Sequence, residues 1–231
     1  MRTTLVLSVV TACAIPEQKV DPFACATDPP PASAPATIAI TGSAHDPVTG
    51  LSVASPTVAF QPMGFTATGA ASGQFSGSLM TAGMALNGDL KATAAGYLDA
   101  YFYPAVPFFG DYAATIEMVT PGDLEEVGSG AGVMLGSDTQ VLFIGVVDCN
   151  EDPVGGATVG TSSGTVLYLD GNDHPDPSAA ATDPTHGAAI IVGITGSDVA
   201  ISAGFSDIPF HPHSVPVQPG TLPQTEIRPG S

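Results

Sequence analysis

The stretch Asp170-Gly171-Asn172-Asp173-His174-Pro175-Asp176 concentrates side-chain oxygens in one short loop. Carboxylates and an amide are the ligands a hard cation takes, so Asp170, Asn172, Asp173 and Asp176 form a weak candidate calcium site, and calcium is the one cofactor held open. The spacing is not that of an EF-hand, and the same residue types beside Gly and Pro are what solvated turns use. Imidazole is the other metal-ligating group, and His174, His186, His211 and His213 all fall in or near loops of the C-terminal half. In an extended strand His211 and His213 would point to one face, which could begin a zinc or copper site, but no third ligand is visible beside them. Exposed loop histidines are the simpler reading. Nucleophilic catalysis has less to build on. No G-x-S-x-G elbow occurs, Gly128-Ser129-Gly130 lies in a linker without a neighbouring histidine, and H-E-x-x-H is absent. No catalytic residues are assigned, and the expected class is non-enzymatic, with a hydrolase the least favoured reading.

Aromatic residues offer a binding chemistry instead. Tyr97, Tyr101, Phe102, Tyr103, Phe108, Phe109 and Tyr112 crowd one segment of a chain that is 6% aromatic. Neighbours on a strand alternate between faces, so Tyr101-Phe102-Tyr103 must send at least one ring outward unless another part of the chain covers it. Tyr101, Phe102, Tyr103, Phe108 and Phe109 are therefore the candidate contact for a protein or glycan partner, against the plain alternative of internal packing.

Charge narrows the partners further. Four Lys plus Arg stand against 22 Asp plus Glu, a formal net charge of −18. Such a surface repels phosphate backbones and anionic headgroups, which argues against nucleic acid and against polybasic membrane attachment, and it favours solubility and divalent cations. With 11% charged residues, 44% hydrophobic, 27 Gly and 22 Pro, the composition is that of β-structure with many loops rather than of a helical bundle or a charge-driven disordered chain. Trp is absent and Tyr numbers five, so a sugar-stacking platform would have few rings to use.

The elements that must position these groups are short strands rich in β-branched residues and separated by Gly, Pro, Asn and Asp. Strands are expected over 37–44, 53–61, 73–80, 86–94 with a continuation near 101, and 113–119. A second set is expected over 141–147, 157–161, 166–169, 188–194, 198–203, 214–217 and 221–227. Between them Thr120 can cap a helix, Pro121 suits its first position, Asp123, Glu125 and Glu126 favour its positive end, and Gly128, Gly130 and Gly132 should end it. The division is a signal-like segment 1–12, a Pro-rich tether 13–36, a first domain 37–120, a linker 121–139 and a second domain 140–229.

Three sequence features recur in the same order in both halves. The opening strand and reversal at 37–58 returns at 140–159, Ala71-Ser72-Gly73-Gln74-Phe75 returns as Thr185-His186-Gly187-Ala188-Ala189, and Ala94-Ala95-Gly96-Tyr97 returns as Ser202-Ala203-Gly204-Phe205. The second opening, with Asp148 and then Pro153, Val154, Gly156, Ala157 and Val159, resembles the carboxypeptidase regulatory-like and transthyretin-like β-sandwich family. Domain one departs from it at Ser55 and Pro56. The resemblance implies an all-β fold of two tandem transthyretin-like (Ig-like) β-sandwich domains after the tether. Its motifs encode turns and core positions, so they carry fold without function. The hydroxyisourate hydrolases among transthyretin-like folds resemble one another in a C-terminal Tyr-Arg-Gly-Ser; here Pro229 interrupts the pattern and the tyrosine is missing.

The N-terminus carries a second resemblance. One cation, an apolar stretch from Leu5 to Val10 and the run Val10-Thr11-Ala12-Cys13 resemble a bacterial lipoprotein signal and its lipobox. The resemblance implies a lipid on Cys13, a membrane partner through that anchor, and a place in the cell envelope, facing the periplasm or the cell surface; plain secretion is the alternative. The apolar stretch is too short to span a bilayer. With Cys13 given to the lipid, Cys25 and Cys149 remain as an even pair in an oxidising compartment and are expected to bond, two free thiols being the alternative. The expected function is a non-enzymatic binding or scaffold module of the envelope, the alternative a carbohydrate-binding or adhesive surface module.

Overall fold

A computed structural model describes residues 21–62, 65–136 and 138–230. Cys13 and the signal-like segment before it lie outside the described residues. The first half supplies β1 (Thr37–Asp46), β2 (Leu51–Ser52), β3 (Thr57–Gln61), β4 (Phe65–Thr68), β5 (Gln74–Met80), β6 (Asp89–Thr93), β7 (Asp99–Tyr103) and β8 (Tyr112–Glu117). One helix, α1 (Pro121–Gly130), leads into β9 (Val141–Val146), β10 (Thr158–Thr161), β11 (Thr165–Leu169), β12 (Pro175–Asp176), β13 (Ala188–Val192), β14 (Asp198–Gly204), β15 (His213–Pro216) and β16 (Thr221–Ile227). The fold is all-β, as expected.

Most strands fall where alternation placed them, and the departures have local causes. The run expected from Val53 to Gln61 is broken because Ser55 takes a left-handed φ of 51° ahead of Pro56, so β3 starts only at Thr57. The helix begins as read: Thr120 Oγ1 accepts from the Asp123 amide at 3.2 Å while Asp123 Oδ2 accepts from the Thr120 amide at 2.9 Å. Its end is later than read, since Gly128 and Gly130 lie inside it and Gly132, at φ 70°, follows it.

Pairing reveals the repeat that the sequence hinted at. β1 pairs antiparallel with β5 and parallel with β8, and β9 pairs antiparallel with β13 and parallel with β16. Likewise β6 sits between β3 and β7 in the first half, and β14 between β10 and β15 in the second. Each half is a β-sandwich built on these shared pairings, and the halves differ at one edge, where β4 pairs with β3 but β11 pairs with β13. Both opening turns use one device: Asp46 Oδ1 accepts from the amides of Val48 and Thr49, and Asp148 Oδ1 from those of Asn150 and Asp152. Gly73 and Gly187 are equivalent too. They open β5 and β13 at φ 77° and 61°, where a side chain would meet the Ala44 and Val146 carbonyls at 2.7 and 2.6 Å. The opening stretch at 140–159 is not a simple hairpin, however. The chain reverses at the Val147–Pro153 bridge and β10 then crosses to pair with β14 in the opposite sheet.

β16 fuses the two sandwiches. It lies parallel to β7 on one side and to β9 on the other, creating a nine-stranded sheet in the order β12-β11-β13-β9-β16-β7-β6-β3-β4. A four-stranded sheet (β2, β1, β5, β8) covers this sheet through one core, and a three-stranded sheet (β10-β14-β15) covers it through another. Val141, Ile190, Val192 and Leu222 face the first core, while Leu142, Ile144, Ala189, Ile191 and Ile227 face the second. Strands buried on both faces read as unbroken apolar runs, which explains VLFIGV in β9 and AAIIV in β13. Pro223 fits inside β16 because the ladder to β9 starts only at Gln224, leaving the proline with a paired strand on one side.

The segment read as a free tether is docked from Asp21 onward. Phe23 stacks on Phe205 at 5.5 Å, Cys25 is bonded to Cys149, and Ala34 and Ala85 donate to Gly83 and Ala32 of the first half. The chain therefore runs from the second sandwich across to the first before entering β1.

Candidate functional site

Strand alternation divides the aromatic segment that the sequence singled out. Phe102 and Phe108 are 3% and 2% exposed, so they belong to the first core and not to a contact surface. Phe108 meets Tyr112 edge-on at 5.0 Å, and Tyr112 tilts against Phe102 at 6.1 Å. Tyr101 and Tyr103 take the opposite sheet face, 6.4 Å apart and 12° from parallel. Lys91 lies over the Tyr101 ring at 5.2 Å and bridges to Asp99 at 2.7 Å. Tyr103 leans against the second core, and burial there raises its hydroxyl pKa. Phe109 is 37% exposed and stands apart. The five rings do not form one platform.

Nor do the oxygens of the 170–176 loop converge. Asp170 Oδ1 accepts from the amides of Asn172 at 2.8 Å and His174 at 3.0 Å, which holds its carboxyl below the ordinary range, and Asp176 Oδ1 accepts from the Ser178 hydroxyl and amide. Asp173 is paired with the His186 ring. His213 Nε2 lies 2.8 Å from the Thr225 hydroxyl, and burial lowers the pKa of both His211 and His213. Among the described residues no group of three or more His, Cys, Asp or Glu is placed to hold a metal ion.

A cavity of about 450 Å³ lies where the first sandwich overhangs the second half of the shared sheet. The β1–β2 turn supplies Val48, β8 supplies Glu117, α1 supplies Val127, and the sheet floor supplies Phe102, Phe143, Gly145, Gln224 and Glu226. Gln224 closes one side. Its amide accepts from the Glu117 N–H at 2.9 Å and donates to the Glu117 carbonyl at 2.8 Å, replacing the neighbour strand that β8 lacks on that edge. Gln224→Ala should leave that backbone pair buried and unsatisfied and lower stability by about 2 kcal/mol, read as a reduced urea midpoint at unchanged slope. A change well under that would mean water reaches the edge.

Three carboxyls line the cavity: Asp173, paired with the His186 ring, and Glu117 and Glu226, which sit in different settings. Burial pushes Glu117 up to about 7, with Asp173 and Asp46 adding repulsion and the His186 ring opposing, and its Oε2 has no hydrogen-bond partner among the described residues. Glu226 is also raised by burial, but Arg228 opposes the shift and the Tyr112 hydroxyl donates to it at 3.3 Å. Of the cavity's residues, Phe102 and Asp173 were singled out in the sequence for other roles, and Glu117, Glu226, Gln224 and Gly145 were not. Glu117, Gln224 and Gly145 sit far apart along the chain on unremarkable strands, and the one available signal was an acidic residue inside the strand read at 113–119.

No protein-family model matches the sequence, and no curated protein matches it. Solved structures do. A streptococcal ancillary pilin is 7% identical with a TM-score of 0.30, over 84% of this chain and 69% of its own. The shaft pilin SpaA of Lactobacillus rhamnosus GG is 11% identical with a TM-score of 0.28, over 87% and 98%. A DUF3823 family protein of Parabacteroides merdae is 12% identical with a TM-score of 0.28, over 80% and 98%.

Proposed function

We propose that the protein is a non-enzymatic binding or scaffold module of the cell envelope, held to the membrane by a lipid on Cys13. The observation that carries this reading is how the docked N-terminal segment meets the body. Cys25 is covalently joined to Cys149 in the second sandwich, so any load arriving along the N-terminal segment enters the fused body directly. Cys13 precedes that staple by about 12 residues, which can span at most roughly 40 Å, so an anchored body would stay close to the membrane surface. Among the described residues no helix is long and apolar enough to cross a membrane. Tyr101 with Lys91 and Asp99 is an aromatic, mixed-charge face that also suits a glycan.

Cell fractionation tests the anchor. Wild-type protein should sediment with membranes and be released by detergent, whereas Cys13→Ala should appear in the soluble envelope or medium fraction. Equal sedimentation of both forms would remove the lipid from the account. Loss of retention on an envelope polysaccharide in Tyr101→Ala, with the fold intact, would favour the glycan reading over a protein partner.

A further inference from the structure

Gly145 lies inside β9, one residue before its end, yet a side-chain carbon built there would have nothing within 4 Å. Its neighbours Ile144 and Val146 face the second core and are buried, so the bare side of the strand is the cavity side. A glycine inside a strand weakens it, and an open floor at that point is what close approach by a ligand requires. The surrounding wall is mostly hydrocarbon, from Val48, Val127, Phe102, Phe143 and Leu169. A volume of about 450 Å³ lies within the range of small-molecule pockets.

Charge selects among small molecules. Glu117 lines this space, its buried Oε2 has no hydrogen-bond partner among the described residues, and Asp173 and Asp46 lie close enough to act on the carboxyl. The two basic side chains nearby are already engaged: the His186 ring with Asp173, and Arg228 with Glu151 at 3.7 Å. The whole chain carries a net charge of −18, which concentrates cations around it. A metal ion would find too few ligands, because among the described residues no three such groups converge. An organic cation would use both the hydrocarbon wall and the unpaired carboxyl.

We propose that this cavity is a binding site for a small primary amine bearing an apolar ring or chain, its ammonium at Glu117 and its hydrocarbon over Gly145 between Phe102, Phe143, Leu169 and Val127. The proposal stands apart from the envelope role and from any lipid on Cys13.

Phenethylamine, with 2-phenylethanol as the neutral analogue of the same shape, tests it by calorimetric titration at pH 8. Wild-type protein should bind phenethylamine, and bind the alcohol at least about tenfold more weakly, since only the amine gains the charge interaction. Glu117→Gln should weaken the amine by about tenfold or more and leave the alcohol unchanged. Gly145→Val should abolish binding of both by filling the floor, while thermal unfolding shows it folded, because the site has room and Val suits a strand. Absence of phenethylamine binding, equal affinity for amine and alcohol, or undiminished binding in folded Gly145→Val would each overturn the proposal.

Discussion

Replacing both Cys25 and Cys149 by serine should lower stability by about 3–5 kcal/mol, the largest effect expected from a change outside the cores. The bond joins positions 124 residues apart, so it removes a very large loop from the freedom of the unfolded chain. The chain-entropy relation gives roughly 5 kcal/mol for a loop of that size, and residual structure in the unfolded chain reduces it. For a chain of this length that corresponds to a fall in Tm of roughly 6–20 °C. Calorimetry of the wild type against the double variant reads it directly, and reductant should shift the wild type alone. A local consequence follows. Without the bond, the Phe23 stack on Phe205 and the Cys149 amide to Pro22 carbonyl contact at 2.8 Å are what remains to hold the segment on the second sandwich. Protease should then cut between Asp21 and Pro31 well before the sandwiches open. A Tm that did not move would mean that the docked segment adds nothing to the cooperative unit.

Much of this architecture was written locally. Asp148 and Asp46 each name their turn, because a carboxylate two residues before free amides is itself the turn's hydrogen-bond acceptor. Thr120, Pro121 and Asp123 name the helix start for the same reason. The recurring Gly73 and Gly187 mark a strand entry where a side chain would strike a carbonyl. What was hidden is non-local. The parallel pairing of β16 with β7 joins residues about 120 positions apart, and nothing in TLPQTEI says which strand it will lie beside. Two-faced burial in β9 and β13 looks, in sequence, like any apolar run. The aromatic segment misled for a related reason: Phe102 and Tyr101 are neighbours in sequence but face opposite sides of the sheet, so density along the chain did not become density on a surface. The cavity is the extreme case, since Glu117, Gly145 and Gln224 meet only after both sandwiches are fused.

Glu117→Gln should stabilise the protein at pH 8 by about 2–3 kcal/mol and leave it unchanged near pH 4.5. Burial raises the folded-state carboxyl from an ordinary 4.5 to about 7, with Asp173 and Asp46 adding to the shift and the His186 ring opposing it. Below pH 4.5 the group is protonated in both states and contributes no difference. Between 4.5 and 7 the unfolded chain releases the proton while the folded chain keeps it, so stability falls as pH rises and the loss is complete above the folded pKa. Glutamine copies the shape of the neutral acid and cannot ionise, so its stability curve should stay flatter across that window. A residual slope is expected in the variant, because burial also raises Glu226 and pushes Asp89 up to about 6. Urea unfolding at pH 4.5, 6 and 8 decides the matter, and parallel curves for wild type and variant would show that the Glu117 carboxyl titrates in the folded protein as it does in the unfolded chain. The same measurement connects titration to the cavity. An amine seated at Glu117 favours its ionised form, so phenethylamine at pH 8 should recover part of the wild-type loss by mass action and do less for Glu117→Gln at the same concentration.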